Sequence, residues 1–548
     1  MLKKNDRWIT EWIVFALLAI SLGIVSFFHE PWLNEAQAWQ IARNADLSEI
    51  LFQIPHYEGH PALWHLMLLI PAKCNMPYEL SIKVISSAAV LIIGWLILFR
   101  SPFPKLMRIL LPFHYFIFYQ NGVVSRPYGY MTLALLLMAV FYREKDEKPW
   151  RFAAAMLLLC VLSGYGIVIA GGVAIVWVIQ ICSEHGWKIL SAFLWKDKRI
   201  PPLVMLLAAA VLIALQILPD PNAFAFTLPK NNSVFICLLY HLFAILPDST
   251  LTNILGCEEM AAYASFDTGA LIVGIIAGIL FLLAMILFSS RKNRWYLIVP
   301  YFLFGVFSTF VYLTAHHIGV VLSLILFWLW IAFEDPDKGE LFRKLSGKIK
   351  LQEKERVLLK RIGIVFGMML FIIPVFWTMI ASVYEIKYDY CSSKKMAAFI
   401  REHGLEEATF LARWSDEEEP INVNALYAKV NPVAIMPYFS HNFCLNLNEG
   451  RENMAYIRHV VATPKESVDT LERIREKGLP EGLIGSVDLK LIYGEDVDPL
   501  SYVPVYEITP FYVTVWKYMR VNVSNVHKNY IYMRKDVLEK YGLQEIDW

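Results

Sequence analysis

Between two apolar stretches near the N-terminus lies a polar segment, HEPWLNEAQAWQIARNADLSEILFQIPHYEGHPALWHLML from His29 to Leu68, that gathers side chains able to do chemistry. Glu30 and Glu35 are carboxylates that can take a proton from an attacking hydroxyl. His56 and His60 are imidazoles that can donate to an anion or ligate a metal. Further along, Ser125-Arg126-Pro127-Tyr128 offers a guanidinium suited to bidentate phosphate binding, with Pro127 placed to open a helix. His316-His317 is a third polar island between apolar runs and can donate to phosphate or to sugar hydroxyls.

Each has a plainer alternative. Glu35 and Trp39 share a face of an expected helix starting at Glu35, with Asn34 and Gln37 spaced as a capping box. Such a helix can lie along a membrane interface with Trp32 and Trp39 as anchors and its acids simply solvated. Glu30 and Glu35 are five residues apart, about 140° around a helix, so they serve one site only if the helix begins after Pro31. A metal pair of His56 and His60 with Glu35 needs a helix to converge, and Gly59-His60-Pro61 argues against one. Arg126 can be an interfacial cation, His316 and His317 can sit in the headgroup layer, and His65, His114 and His241 fall inside apolar runs as packed histidines.

The elements that must position these groups are membrane helices. Of 548 residues 57% are hydrophobic and only 18% charged, which excludes a fully soluble globular chain. The charge is uneven, with 44 Asp, Glu, Lys and Arg in residues 385–548 against 55 in residues 1–384, so a membrane block precedes a water-soluble domain. The net charge of +1 offers no broad basic surface for nucleic acid. The seven cysteines show neither CxxC nor regular spacing, and Cys391 and Cys444 alone lie in the charged part, where they could pair or stay free.

Expected spans are Trp12–Phe28, Ile85–Phe99, Ile109–Tyr119, Gly129–Tyr142, Phe152–Ser163, Ile167–Cys182, Leu203–Leu218, Ala270–Phe288, Trp295–Leu313, Val320–Phe333 and Ile362–Val383. Pro61–Lys73 and Val234–Leu246 are shorter and fit half-helices or interfacial segments as well as spans. Basic residues orient the block: with Lys3, Lys4 and Arg7 inside, the five later basic clusters also fall inside if those two segments do not cross. The expectation is an α-helical polytopic membrane protein of about 11–13 crossings in the cell membrane. Its N-terminus is cytoplasmic, residues 29–60 form the first outer loop and residues 385–548 an extracytoplasmic α/β domain. In that domain Lys394–His403 and Val468–Lys477 read as helices, and Ala408–Trp414, Pro432–Phe439, His459–Ala462, Leu489–Tyr493 and Val503–Tyr518 as strands.

WLNEAQAWQIAR at Trp32–Arg43, EGHPALWHL at Glu58–Leu66 and SRPYGYMTLALLL at Ser125–Leu137 resemble, in order, the first-loop acidic motif, the His-Pro segment and the Arg-Pro-Tyr helix start of GT-C-type glycosyltransferases. These are polytopic enzymes related to protein mannosyltransferases and aminoarabinose transferases, and the resemblance is specific over about the first third of the chain. It implies transfer of a sugar from a polyprenyl-phosphate donor to an outer-face acceptor by one inverting displacement, with membrane lipids as further partners and no cofactor or metal. Glu35 would be the catalytic carboxylate, with His60, Arg126, His316 and His317 toward the donor phosphate and Glu30, Asn34 and Tyr128 as accessory positions. The family motif commonly reads Asp-Glu where this chain has Asn34-Glu35, so Asn34 removes an acid often suspected as the base. Tyr128 likewise stands where some members carry an acid. Two readings from other classes stand beside it: a transporter or flippase, against which no internal repeat is visible, and a non-catalytic envelope scaffold, which Asn34 keeps open.

Overall fold

The computed structural model describes residues 6–185, 196–221, 232–251, 268–311, 313, 317–348, 353–388, 393–412, 431–447, 456, 464–485, 487–508 and 529–547. It is predominantly helical, and among the described residues six helices are long and apolar enough to cross a membrane: Trp8–Phe28, Tyr78–Arg100, Gly164–Glu184, Val234–Leu251, Thr268–Phe288 and Met369–Lys387. Leu63–Lys73, Tyr128–Tyr142, Pro149–Cys160, Ile200–Gln216, Trp295–Phe310 and Gly319–Glu334 are apolar and shorter. A helical membrane protein is the result, because in hydrocarbon only a helix or a closed barrel satisfies every backbone group within itself.

Small residues set how closely these helices pack. The Gly164–Glu184 helix lies on the Trp295–Phe310 helix with Gly172 against Pro300, where an added Cβ would stand 2.5 Å from the Pro300 Cα. Gly278 presses on the backbone of Phe243, whose carbonyl oxygen would be 1.9 Å from such a Cβ. Without a hydrophobic driving force between helices in lipid, these close approaches supply the dispersion contacts that hold the bundle.

The stretch expected as one span at Ile109–Tyr119 is broken. Lys105–Leu110 is α-helical, Leu111–Phe113 forms a 3₁₀ turn, Tyr115–Phe118 returns to α and Tyr119–Val123 is a π-turn. Pro112 removes a backbone donor from the ladder, and the His114 ring caps the new helix by accepting the Phe116 N–H at 3.3 Å. This broken segment delivers Ser125 and Arg126. Gly129 lets the following helix pass close by, since a Cβ there would meet the Asn121 carbonyl at 2.9 Å.

In the charged part, β1 (Phe410–Ala412), β2 (Gly482–Ile484), β3 (Tyr502–Ile508) and β4 (Asn529–Arg534) form a sheet of order β1-β2-β4-β3. β1 runs parallel to β2, and β4 is antiparallel to both β2 and β3. Ser393–Glu402 and Pro464–Glu476 are helices. Two expected strands are helical instead: Pro432–Phe439 becomes Asn431–Ile435 followed by a 3₁₀ turn at Met436–Tyr438, and Leu489–Tyr493 is a helix capped by Asp488. Short apolar runs do not distinguish a buried strand from a buried helical turn by pattern alone. His459–Ala462, Cys391 and the parts of the expected strands beyond Ala412 and Ile508 lie outside the described residues; Cys444 is buried.

The helix expected along the membrane surface starts earlier and lies elsewhere. It runs Leu33–Asn44, so Trp32 is its cap residue and Glu35, not Gln37, occupies the third helical position. Every residue from Glu35 to Ala42 is buried. Trp39 is 2% exposed and packs on Tyr78 in a core shared with Met396, Val433 and Ile435, so it is a core residue rather than an interfacial anchor. Arg43 closes the same seam by donating to the carbonyls of Phe439 at 2.8 Å and Met436 at 3.1 Å.

Candidate functional site

Glu35 sits at the start of its helix and points inward, 1% exposed. One oxygen accepts the backbone N–H of Ser125 at 2.6 Å, the other that of Trp32 at 3.1 Å, and the His29 Nε2 lies 3.0 Å away. His29 continues the array, with its Nδ1 2.6 Å from a Glu385 oxygen, and the Tyr119 hydroxyl donates to the other oxygen of Glu385. Burial alone would hold His29 neutral, but Glu35 and Glu385 on its two sides outweigh it and raise its pKa to about 10. Burial likewise works against the Glu35 carboxylate, yet the His29 cation and the two backbone N–H groups bring its pKa below the ordinary value. Glu35 is therefore an ionised anchor with both oxygens engaged, not a carboxylate turned toward open space.

Arg126 is latched to the same helix start, its guanidinium donating to the Asn34 carbonyl at 3.0 Å. Asn34 thus contributes its backbone, which any residue could supply. Glu30 is drawn the other way and accepts from the Lys394 N–H at 2.7 Å and the Ser393 hydroxyl at 3.0 Å, so it ties the loop to the charged part of the chain.

His60 follows Gly59, whose φ of +65° ends the short Ile54–Glu58 helix and reverses the chain. Its Nε2 lies 3.4 Å from the Tyr128 hydroxyl, while its Nδ1 is shut off from solvent without a hydrogen-bond partner among the described residues. Burial, then the Arg126 cation, lowers the His60 pKa to about 4, so the ring is neutral at physiological pH. The His317 ring, 1% exposed, lies edge-on to Tyr128 and tilted against Tyr165, with both ring centroids 5.2 Å away, and 6.5 Å from the His60 ring. His316 lies outside the described residues.

The structure thus brings together Glu35, Asn34, Arg126, Tyr128, His60 and His317, and places Glu30 apart. His56 does not join them, because its Nδ1 contacts the Leu218 carbonyl at 2.5 Å; among the described residues no group of three or more His, Cys, Asp or Glu could hold a metal ion. Four participants were not singled out from the sequence. His29, Tyr119 and Glu385 have no mutual spacing that announces them, although an ionisable residue in the last turn of an apolar helix, as Glu385 is, was a usable signal. Glu58 is the fourth: half-buried, it accepts from Gln37 at 3.1 Å, and its charge and that of Arg126 both reach His60 and His65.

In comparisons with known proteins, no family model, no curated protein and no solved structure matches this chain.

Proposed function

We propose that the chain is an integral membrane glycosyltransferase that takes a sugar from a polyprenyl-phosphate donor and passes it to an acceptor at the outer face. One observation carries this reading: Arg126 is bonded to the Asn34 carbonyl beside Ser125, its charge reaches His60, and Tyr128, two residues on, meets both His60 and His317, so three segments scattered over the sequence come together around it. A lipid-phosphate leaving group needs donors fixed in advance at its oxygens, and a guanidinium flanked by imidazoles is such a set. The Nδ1 atoms of His60 and His65 and the Ser125 hydroxyl are buried without partners among the described residues, which suits groups that bond to a substrate.

The acceptor proton is assigned to Glu58. Glu35 has both oxygens occupied; Glu58 lies half-buried, and its charge reaches the same two histidines, His60 and His65, that the charge of Arg126 reaches. A phosphate leaving group needs no protein acid, so one carboxylate suffices for a single inverting displacement. In this reading the donor's headgroup enters from the lipid at the outer face, the N-terminus is cytoplasmic, and residues 385–548 form an extracytoplasmic α/β domain beside the acceptor.

The test is sugar transfer by purified, lipid-reconstituted protein from a polyprenyl-phosphate sugar. Arg126→Ala and Glu58→Gln should each abolish it. Wild-type rates from both variants would reject the site, and no transfer by the wild type from a panel of such donors would favour a non-catalytic scaffold.

A further inference from the structure

The donor site assigned to Arg126 is assembled by residues far from it in the chain. Glu385, on the last long apolar helix, lies 2.6 Å from His29; His29 lies 3.0 Å from Glu35; and Glu35 holds the N–H of Ser125, the residue before Arg126, at 2.6 Å. All three side chains are buried. Burying two carboxylates and an imidazole is costly, and well-packed apolar residues of similar volume often serve stability as well or better. An array of this composition at the one place where it grips the backbone beside Arg126 calls for a role beyond packing.

We propose that His29 and Glu385 are positioning residues for the anion site: Glu385 holds His29 as a cation, the cation fixes Glu35, and Glu35 fixes Ser125 and the helix start whose Asn34 carbonyl receives Arg126. This rests on the reading of Arg126 as the phosphate ligand. The last membrane helix thereby becomes part of the donor site although none of its residues need touch the donor, and a shift of that helix is transmitted to Arg126 through two side chains.

The geometry makes the array depend on the charge of His29. The carboxylates bonded to its two ring nitrogens are Glu35, from the Leu33–Asn44 helix, and Glu385, from the last span. Tyr119, from the π-turn, bonds Glu385 on its far side, and Glu30, on the same loop as His29, is turned to Ser393 and Lys394. With two carboxylates present the imidazolium persists above neutral pH. With Gln at 385 one of them is gone, and the proton should leave at lower pH.

Binding of undecaprenyl phosphate to the full chain in lipid nanodiscs, at pH 7.5 and pH 9.5, tests this; both values lie above the second ionisation of a phosphate monoester near about 6. The wild type should bind within about twofold at the two pH values. Glu385→Gln should bind like the wild type at pH 7.5 and at least about tenfold more weakly at pH 9.5, with Tyr119→Phe shifting the same way by less. A purely structural array would lower affinity equally at both, and a Glu385→Gln profile matching the wild type overturns the proposal. Hydrogen exchange of the peptide spanning Tyr119–Pro127 reads the latch without ligand: it should speed up at least about tenfold in Glu385→Gln at pH 9.5, and unchanged exchange also overturns the proposal. If the wild type fails to bind undecaprenyl phosphate while the exchange result holds, the donor assignment falls and the latch stands.

Discussion

The carboxylate of Glu35 accepts the backbone N–H of Ser125 at 2.6 Å across 90 residues of sequence. Together with the 3.0 Å bond from the Arg126 guanidinium to the Asn34 carbonyl, it stitches the first-loop helix to the start of the Tyr128–Tyr142 helix by two adjacent contacts. A charged acceptor on a backbone donor is among the stronger hydrogen bonds available, so the position of Arg126 is set by the loop as much as by its own helix.

The two carboxylates and one imidazolium of the array predict an order of destabilisation. Glu35→Gln or Glu385→Gln leaves one acid paired with the His29 cation, whereas His29→Gln leaves two buried carboxylates facing one neutral side chain. Removing one partner from a buried ion pair costs about 3–5 kcal/mol, and His29→Gln should fall in or above that range with the two acid variants milder. Unfolding of each variant in detergent measures the order, and equal losses in all three would contradict it.

His29 also sets a pH window. Its pKa is raised from 6.5 to about 10 in the folded chain, so its contribution is fully present below pH 6.5 and is lost as pH rises through about 10. The Glu35 pKa is lowered from 4.5, so its share is present above that value and is lost as pH falls through the folded pKa. The melting temperature of the wild type should therefore decline between pH 6.5 and pH 10, and that alkaline decline should be reduced in His29→Gln.

Arg126→Lys keeps a positive charge but not the planar fork that reaches both Asn34 and a phosphate. Transfer or lipid-phosphate binding should drop at least about tenfold, the weight of about 1.4 kcal/mol. Titration with undecaprenyl phosphate reads the loss, and a Lys variant equal to the wild type would show that charge alone is what the position supplies.

Helix packing gives a prediction remote from the site. With the Phe243 carbonyl 1.9 Å from where a Cβ would stand on Gly278, and the Pro300 Cα 2.5 Å from one on Gly172, either Gly→Ala change must push two helices apart. Overpacking of this kind costs about 1–3 kcal/mol. Gly23→Ala, where nothing lies within 4 Å, is the control and should melt with the wild type.

Orientation can be read by labelling. With Cys74 replaced by Ser because it is exposed, and Cys257 and Cys391 replaced as well because they lie outside the described residues, a membrane-impermeant maleimide added to intact cells should modify Gln53→Cys and spare Lys105→Cys. The reverse pattern would invert the block and move the proposed site to the other face.

How much of this was legible in the sequence differs by kind of feature. Helical membrane character follows from composition and run length, since a helix is the economical way for a single apolar segment to satisfy its backbone in lipid. The residues that meet around Arg126 could be named because their types are uncommon amid apolar surroundings. Their roles could not. Whether Glu35 is an open base or an occupied anchor depends on Ser125 and His29, which reach it from 90 and 6 residues away, and on Glu385, which reaches His29 from 356 residues away.

Long-range hydrogen bonding has no sequence period, and only the folded chain decides it. The same holds for the first-loop helix, whose amphipathic pattern fits a membrane surface as readily as a protein one. Packing of Trp39 beside Met396 and Val433 made it a core element. The sequence by itself determined that this chain belongs in a membrane and which few polar residues are worth watching. The tertiary structure decided which of them are bound to one another, because that depends on contacts between residues hundreds of positions apart.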